Sequence, residues 1–152
     1  MEHWELVARE RVRDTLARYT WAGDSLRVDE MVLAFCEDGV LELRGEGPIE
    51  GRSAIAAFIA GVGEPPAPAA DAAPVRRIVR HSVTNVRFVS VEPTEARVES
   101  YFTVITEIGL DHLGRYRDVL VPAGEEWLIK RRQVSTDWRS SDSTMAPPSS
   151  VG

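Results

Sequence analysis

A chain of 152 residues, 43% apolar and with a formal charge of −6, can bury a real core and fits one domain. The acidic balance speaks against a nucleic-acid binder, which needs a basic surface to displace counterions. No run approaches the roughly 20 apolar residues of a membrane span, Glu2, Glu5 and Glu10 break any signal-peptide pattern, and the single Cys36 excludes an internal disulfide or a cysteine-based metal site, so a cytoplasmic protein is expected.

In chain order, Trp4, Ala8, Val12, Leu16 and Tyr19 recur at spacings of four and three, which predicts a helix over 3–22 with Gly23 as its stop. A shorter helix is expected from Val28 to Phe35, then a turn at Glu37-Asp38-Gly39 and a strand from Val40 to Leu43. Ser53 is a candidate cap for a third helix over 54–60. Residues 63–74, GEPPAPAADAAP, cannot continue a helix or form a central strand. They suggest a flap or a dimer-contact loop.

Beyond that loop the period changes to two. Strands are expected over 78–91, 95–108, 114–121 and 127–138, with turns at Pro93-Thr94 and Ala123-Gly124. The segment 139–152 is polar and rich in Ser and Pro, so a flexible tail follows a single domain over 1–138. Helices followed by strands argue for an α+β fold. There is no GxGxxG or phosphate loop, and the histidines are too scattered for zinc. No metal or other cofactor is expected. Cys36, beside Phe35, reads as a buried inert thiol, with a nucleophile as the alternative. Arg76, Arg77 and Arg80 read as a solvated edge or an interface.

Six motifs occur in a telling order: Tyr19-Thr20-Trp21-Ala22-Gly23-Asp24; Met31 to Phe35 with Glu37 to Val40; Gly51-Arg52-Ser53-Ala54-Ile55 with Phe58; His81 to Asn85; Gly114 to Asp118; and Trp127 to Arg132. Over about residues 5–138 the chain resembles the SnoaL-like family, in the superfamily of nuclear transport factor two, ketosteroid isomerase and scytalone dehydratase. The resemblance implies a conical barrel, a strongly curved mixed sheet wrapped around one pocket and closed by three N-terminal helices. It also implies a homodimer or higher homo-oligomer. It does not fix the chemistry, because such cones host dehydratases, isomerases, cyclases, epoxide hydrolases and plain binding proteins.

The resemblance further implies that Asp24, just after the first helix, orients His81 from a central strand. A neutral imidazole can take a proton near neutral pH, and a buried carboxylate would fix its tautomer. His81 is expected on a face with Val79, Val83 and Asn85. The plainer alternative is a helix-end Asp24 and a satisfied core histidine. The dehydrochlorinase-type pattern places a cavity arginine at Arg132, which could bind a leaving group, carboxylate or enolate. Strict alternation, however, puts Trp127, Ile129 and Arg131 on one face and Arg132 on the other unless a bulge intervenes. A strand-edge salt bridge is the alternative there.

Tyr19 stands where that pattern has a lysine, which argues against dehydrohalogenation while leaving a hydroxyl donor. Tyr101, Tyr116 and Asp118 are further candidates on strands, and Trp21, Phe35 and Trp127 suit an apolar pocket wall, though large aromatics serve as ordinary core as well. His3 and His112 are expected in solvent. The leading expectation is a lyase, isomerase or cyclase acting on a small, mostly apolar, polyketide- or terpenoid-like substrate, with His81, Asp24, Tyr19 and Arg132 as its catalytic residues. The alternatives are a non-catalytic small-molecule-binding or dimerisation module and an epoxide hydrolase, which needs a second carboxylate facing the pocket.

Overall fold

A computed structural model of the chain describes residues 1–63, 67, 70–73 and 76–145. Helix α1 spans His3–Asp24, α2 spans Val28–Met31 and continues as one 3-10 turn over Val32–Ala34, and α3 spans Arg52–Gly63. The strands are β1 Phe35–Leu43, β2 Ile49–Glu50, β3 Val79–Glu92, β4 Glu95–Thr106, β5 Gly109–Ala123 and β6 Glu126–Arg139. They form one mixed sheet in the order β2-β1-β6-β5-β4-β3. β1 and β6 are parallel, and every other pairing is antiparallel. The sheet does not close: β2 and β3 remain as its edges.

The apolar stripe of α1 lies on this sheet. Ala8, Val12, Leu16 and Tyr19 are buried, while Trp4 at the start of the stripe is exposed. They meet Phe35, Leu41, Ile55, Ala96, Val98, Leu120 and Ile129 in the main core. Each large aliphatic side chain fully buried there contributes roughly 1.5–3 kcal/mol. One polar tie fixes the helix along the strands: the Thr15 hydroxyl donates to the Trp127 carbonyl at 2.5 Å.

Bulges curve the sheet over the helix. On β6, Val119 and Leu120 of β5 pair with Arg131 and Ile129, so Lys130 is an extra residue. On β5, Val104 and Ile105 of β4 pair with His112 and Leu110, so Asp111 is extra. On β3 the register shifts between Thr84 and Arg87, where Asn85 adopts φ 54°. Each bulge bends its strand and resets which side chains point inward.

Several boundaries differ from expectation. α1 passes through Gly23 to Asp24, and the proposed turn at Glu37-Asp38-Gly39 is an irregular stretch inside β1. Ser53 caps nothing, because α3 already begins at Arg52, whose guanidinium donates to the Phe35 carbonyl at 2.6 and 2.9 Å. β5 begins at Gly109, five residues before the expected start, because the hairpin turn is only Glu107-Ile108. Half of the expected flap over 63–74 lies outside the described residues. Of the expected flexible tail, residues 140–145 fold back onto β5 through Ser143, and 146–152 lie outside the described residues. Among the described residues no helix is long and apolar enough to cross a membrane.

Candidate active site

Helix α1 delivers a carboxylate to the rim of a cavity. Asp24 is its last residue, at the end where backbone carbonyls concentrate negative charge and an unpaired carboxylate is unfavourable. One residue of β3 takes up both oxygens. Oδ2 accepts the His81 backbone N–H at 2.9 Å, and Oδ1 lies 2.5 Å from His81 Nδ1. A carboxylate can only accept, so in the neutral imidazole Nδ1 carries the proton and Nε2 has the lone pair. His81 lines a cavity of about 150 Å³ whose walls include Leu26, Met31, Phe58, Phe102 and Val134. The expected face-sharing with Asn85 fails: the bulge there leaves Asn85 exposed and sends Val86 inward instead.

A second histidine reaches the same cavity, one that the sequence suggests to be in solvent. His112 is buried on β5 rather than solvated in a turn. Val104 of β4 lies directly across from His81 on one side and His112 on the other. The two histidines thus end a row over three strands, with Cα atoms roughly 10 Å apart at ordinary strand spacing. The bulge at Asp111 lets two consecutive residues turn inward, so Asp111 backs its own neighbour. Its Oδ1 lies 2.6 Å from His112 Nδ1 and accepts the Ser143 hydroxyl at 2.6 Å, while Oδ2 accepts the Thr106 hydroxyl at 3.0 Å.

The electrostatics of this second pair follow from those contacts. Burial works to raise the Asp111 carboxyl, but hydrogen bonds from Ser143, His112 and Thr106 outweigh it and hold the group below the usual carboxylate range. Burial pushes the His112 imidazole below its ordinary value; Asp111 offsets this only in part, and the charges of His81 and Arg139 push the same way. His112 is therefore neutral at pH 7.

Tyr19 and Tyr116 complete the polar lining, with Thr136. Burial pushes both phenols up, against the lowering effect of Arg132, so both stay protonated. Arg132 lies beneath them, fully buried, with its guanidinium 4.2 Å from the Tyr19 ring centroid and 4.0 Å from that of Tyr116. It binds Asp118 through two hydrogen bonds of 2.8 Å each. The bulge at Lys130 brings Arg132 inward, on the same side as Trp127 and Ile129, and leaves Arg131 exposed on Glu42. Gly114, across from Phe102, is required by close approach: a Cβ there would sit 2.0 Å from the Ser135 carbonyl oxygen and 2.8 Å from the Phe102 ring.

The remaining candidates fall elsewhere. Trp21 is 73% exposed on the outer side of α1, and Tyr101 is 54% exposed on the outer face of the sheet, so neither lines the cavity. Phe35 and Trp127 are core residues behind it, and Arg132 with Asp118 forms an inner layer that supports the tyrosines rather than facing the cavity. Burial pushes the thiol of half-buried Cys36 up, away from a reactive thiolate. His3 is exposed at the start of α1.

No curated protein matches the chain. Solved structures do. A protein from Catenulispora acidiphila in complex with S-DNPA is 25% identical, with 85% of this chain and 92% of that one covered and a TM-score of 0.71. A proposed scytalone dehydratase from Novosphingobium aromaticivorans is 22% identical, with coverage of 89% and 87% and a TM-score of 0.72. ActVI-ORFA from Streptomyces coelicolor is 18% identical, with coverage of 85% and 96% and a TM-score of 0.70. The SnoaL-like domain matches residues 4–133, nearly the whole described fold, and the chain belongs to the SnoaL-like family.

Proposed function

We propose that this protein is a cofactor-independent lyase or isomerase that moves a proton next to a carbonyl on a small, mostly apolar ring compound. The observation that carries the reading is the grip of Asp24 on His81. Both carboxylate oxygens hold the same residue, at 2.9 and 2.5 Å, while its ring borders an apolar cavity. A packed interior would have favoured a dimerisation module; a cavity with an oriented base favours an enzyme. Epoxide hydration loses support, since no Asp or Glu is among the described residues lining the cavity.

The chemistry follows from the groups present. His81 Nε2 takes a proton from the carbon next to the carbonyl, and Asp24 stabilises the imidazolium that forms. The electron pair moves onto the carbonyl oxygen. The phenols of Tyr19 and Tyr116, kept protonated by burial, are the donors available to that oxyanion. The imidazolium then returns its proton. Return to a β-hydroxyl expels water, return to another carbon shifts the double bond, and attack of the enolate on a second carbonyl closes a ring. Neutral His112, across Val104, offers an acceptor for a substrate hydroxyl. The cavity of about 150 Å³ suits a single ring, a size at which an apolar protein cavity holds benzene. Met31 and Met145 in its wall can re-pack around a larger guest. The relative from Catenulispora acidiphila that is in complex with S-DNPA and the proposed scytalone dehydratase are consistent with this class of site.

The test is turnover of a panel of cyclic ketones and β-hydroxy carbonyl compounds. His81→Ala should keep the fold and lose on the order of 10²-fold or more in kcat, and Asp24→Asn should lose nearly as much by holding the wrong tautomer. KM should change far less than kcat. A folded His81→Ala variant with full turnover would refute the mechanism, and ligand binding without turnover across the panel would favour a binding protein.

A further inference from the structure

The segment after the last strand is built into the cavity wall. The Ser140 N–H donates to the Asp111 carbonyl at 2.7 Å, and the Ser143 N–H donates to the Ser140 carbonyl at 3.2 Å. Arg139 and Arg77 hold the segment from two sides, Arg139 Nη2 on the Ser143 carbonyl at 2.8 Å and Arg77 Nη1 on the Thr144 hydroxyl at 2.9 Å. Ser143 is buried, and its hydroxyl donates to the same Asp111 oxygen that His112 uses. Two residues further on, Met145 lines the cavity and packs against Val79, Phe102, Val104 and Tyr116.

We propose that residues 140–145 are a strap that belongs to the active site, in which Ser143 is a positioning residue that sets the orientation and basicity of His112 through Asp111, and Met145 limits the size of the ligand. The proposal deepens the acid–base reading above and rests on it only for the effect on turnover. An ordinary tail anchor would need no polar contact to this carboxylate. Here the hydroxyl of Ser143 and the Nδ1 of His112 share one oxygen, so they compete for its charge. A stronger donation from Ser143 leaves less negative charge to stabilise a His112 imidazolium. Thr106 holds the other oxygen and keeps the carboxylate from rotating to relieve the competition.

The experiment is a histidine-resolved NMR titration of the full chain without ligand, for wild type, Ser143→Val and Ser143→Thr. The groups that face His112 are Asp111 on its own strand, His81 on β3 and Arg139 on β6. All three are kept in every variant. Ser143→Val has nearly the shape of Ser143→Thr without the hydroxyl. The His112 titration should move to higher pH in Ser143→Val and stay close to wild type in Ser143→Thr. If a turned-over substrate is found, Ser143→Val should change the acid limb of the kcat profile with little change in KM, and Met145→Ala should extend turnover to larger rings. An unmoved His112 in a folded Ser143→Val variant overturns the proposal. So does an equal shift in both variants, which would mean that packing rather than the hydroxyl matters. This titration stands whatever becomes of His81→Ala, so failure of the strap and failure of the proton-transfer reading are separable.

Discussion

Replacing Arg132 with methionine removes a charge from the most buried polar layer of the protein. Arg132 and Asp118 are both without side-chain exposure and are joined by two hydrogen bonds of 2.8 Å. The pair is costly to desolvate, and its own Coulomb attraction and the two flanking tyrosine rings work against that cost. Arg132→Met leaves the Asp118 carboxylate buried without a partner, which costs about 3–5 kcal/mol. For a domain with roughly 5–15 kcal/mol in total, that is a large share. The stranded Asp118 then takes up a proton rather than stay charged, so in the variant the native state binds more protons than the unfolded state. Stability relative to wild type should fall as pH rises above the unfolded carboxyl value of about 3.9, by up to about 1.4 kcal/mol per pH unit until the native carboxyl itself ionises. Adding Asp118→Leu removes the stranded group and should recover most of the loss, since an apolar pair of similar volume is often neutral.

Urea unfolding at a series of pH values measures this, with the double-mutant cycle isolating the pair. A loss below about 1 kcal/mol for Arg132→Met would refute the account, because a surface-like ion pair would then describe the site better. A loss that did not depend on pH would count against the protonation argument specifically. Methionine keeps much of the volume between Tyr19 and Tyr116, so a cavity does not confound the result.

Two further outcomes are expected. Because the His112 imidazole is held below its ordinary value in the native state, the unfolded chain binds the extra proton first; this contribution to stability is full above the unfolded value of about 6.5 and is lost as pH falls through the native value. His112→Gln should flatten that limb of a stability-against-pH curve, and an unchanged curve would mean His112 is not the group responsible. Gly114→Ala should destabilise by several kcal/mol in thermal unfolding, since its Cβ would meet the Ser135 carbonyl oxygen, a backbone atom that cannot swing aside; a variant with wild-type Tm would show that β6 shifts freely there.

The strand-after-helix order and the stripe of α1 were legible because both are periodic. Ala8, Val12, Leu16 and Tyr19 repeat with the helix, and the alternation along β4 from Ala96 to Val104 needs no tertiary information. Asp24 and His81, 57 residues apart, were legible only through the spacing of family motifs, because nothing local in either segment points to the other. What failed was parity. Alternation misassigns Asn85 and leaves Arg132 undecided, and in both places a bulge resets the phase. Bulges are stabilised by cross-strand register, which a single strand's sequence does not record. Trp21 and Tyr101 suit a pocket by residue type alone, and type carries no face.

His112 failed for a related reason with a chemical consequence. Gly109 to Gly114 reads as a turn, since it holds two glycines, an aspartate and a histidine. Yet β4 runs on to Thr106, and its last residues need a partner strand, which Gly109 to His112 supply. The extra residue, Asp111, is what allows an acid and the histidine next to it to face the same interior. In a regular strand Asp111 would point to solvent and His112 would stand alone among Val104, Phe102 and Met145, unsatisfied at Nδ1. The bulge, the Ser143 strap and the Thr106 hydroxyl therefore form one device rather than three. Together they hold the buried Asp111 carboxylate in place beside a neutral imidazole. A cavity that were only a packing defect would have no use for that arrangement, because replacing Asp111 and His112 with apolar residues would fill the same wall without burying an ionisable pair.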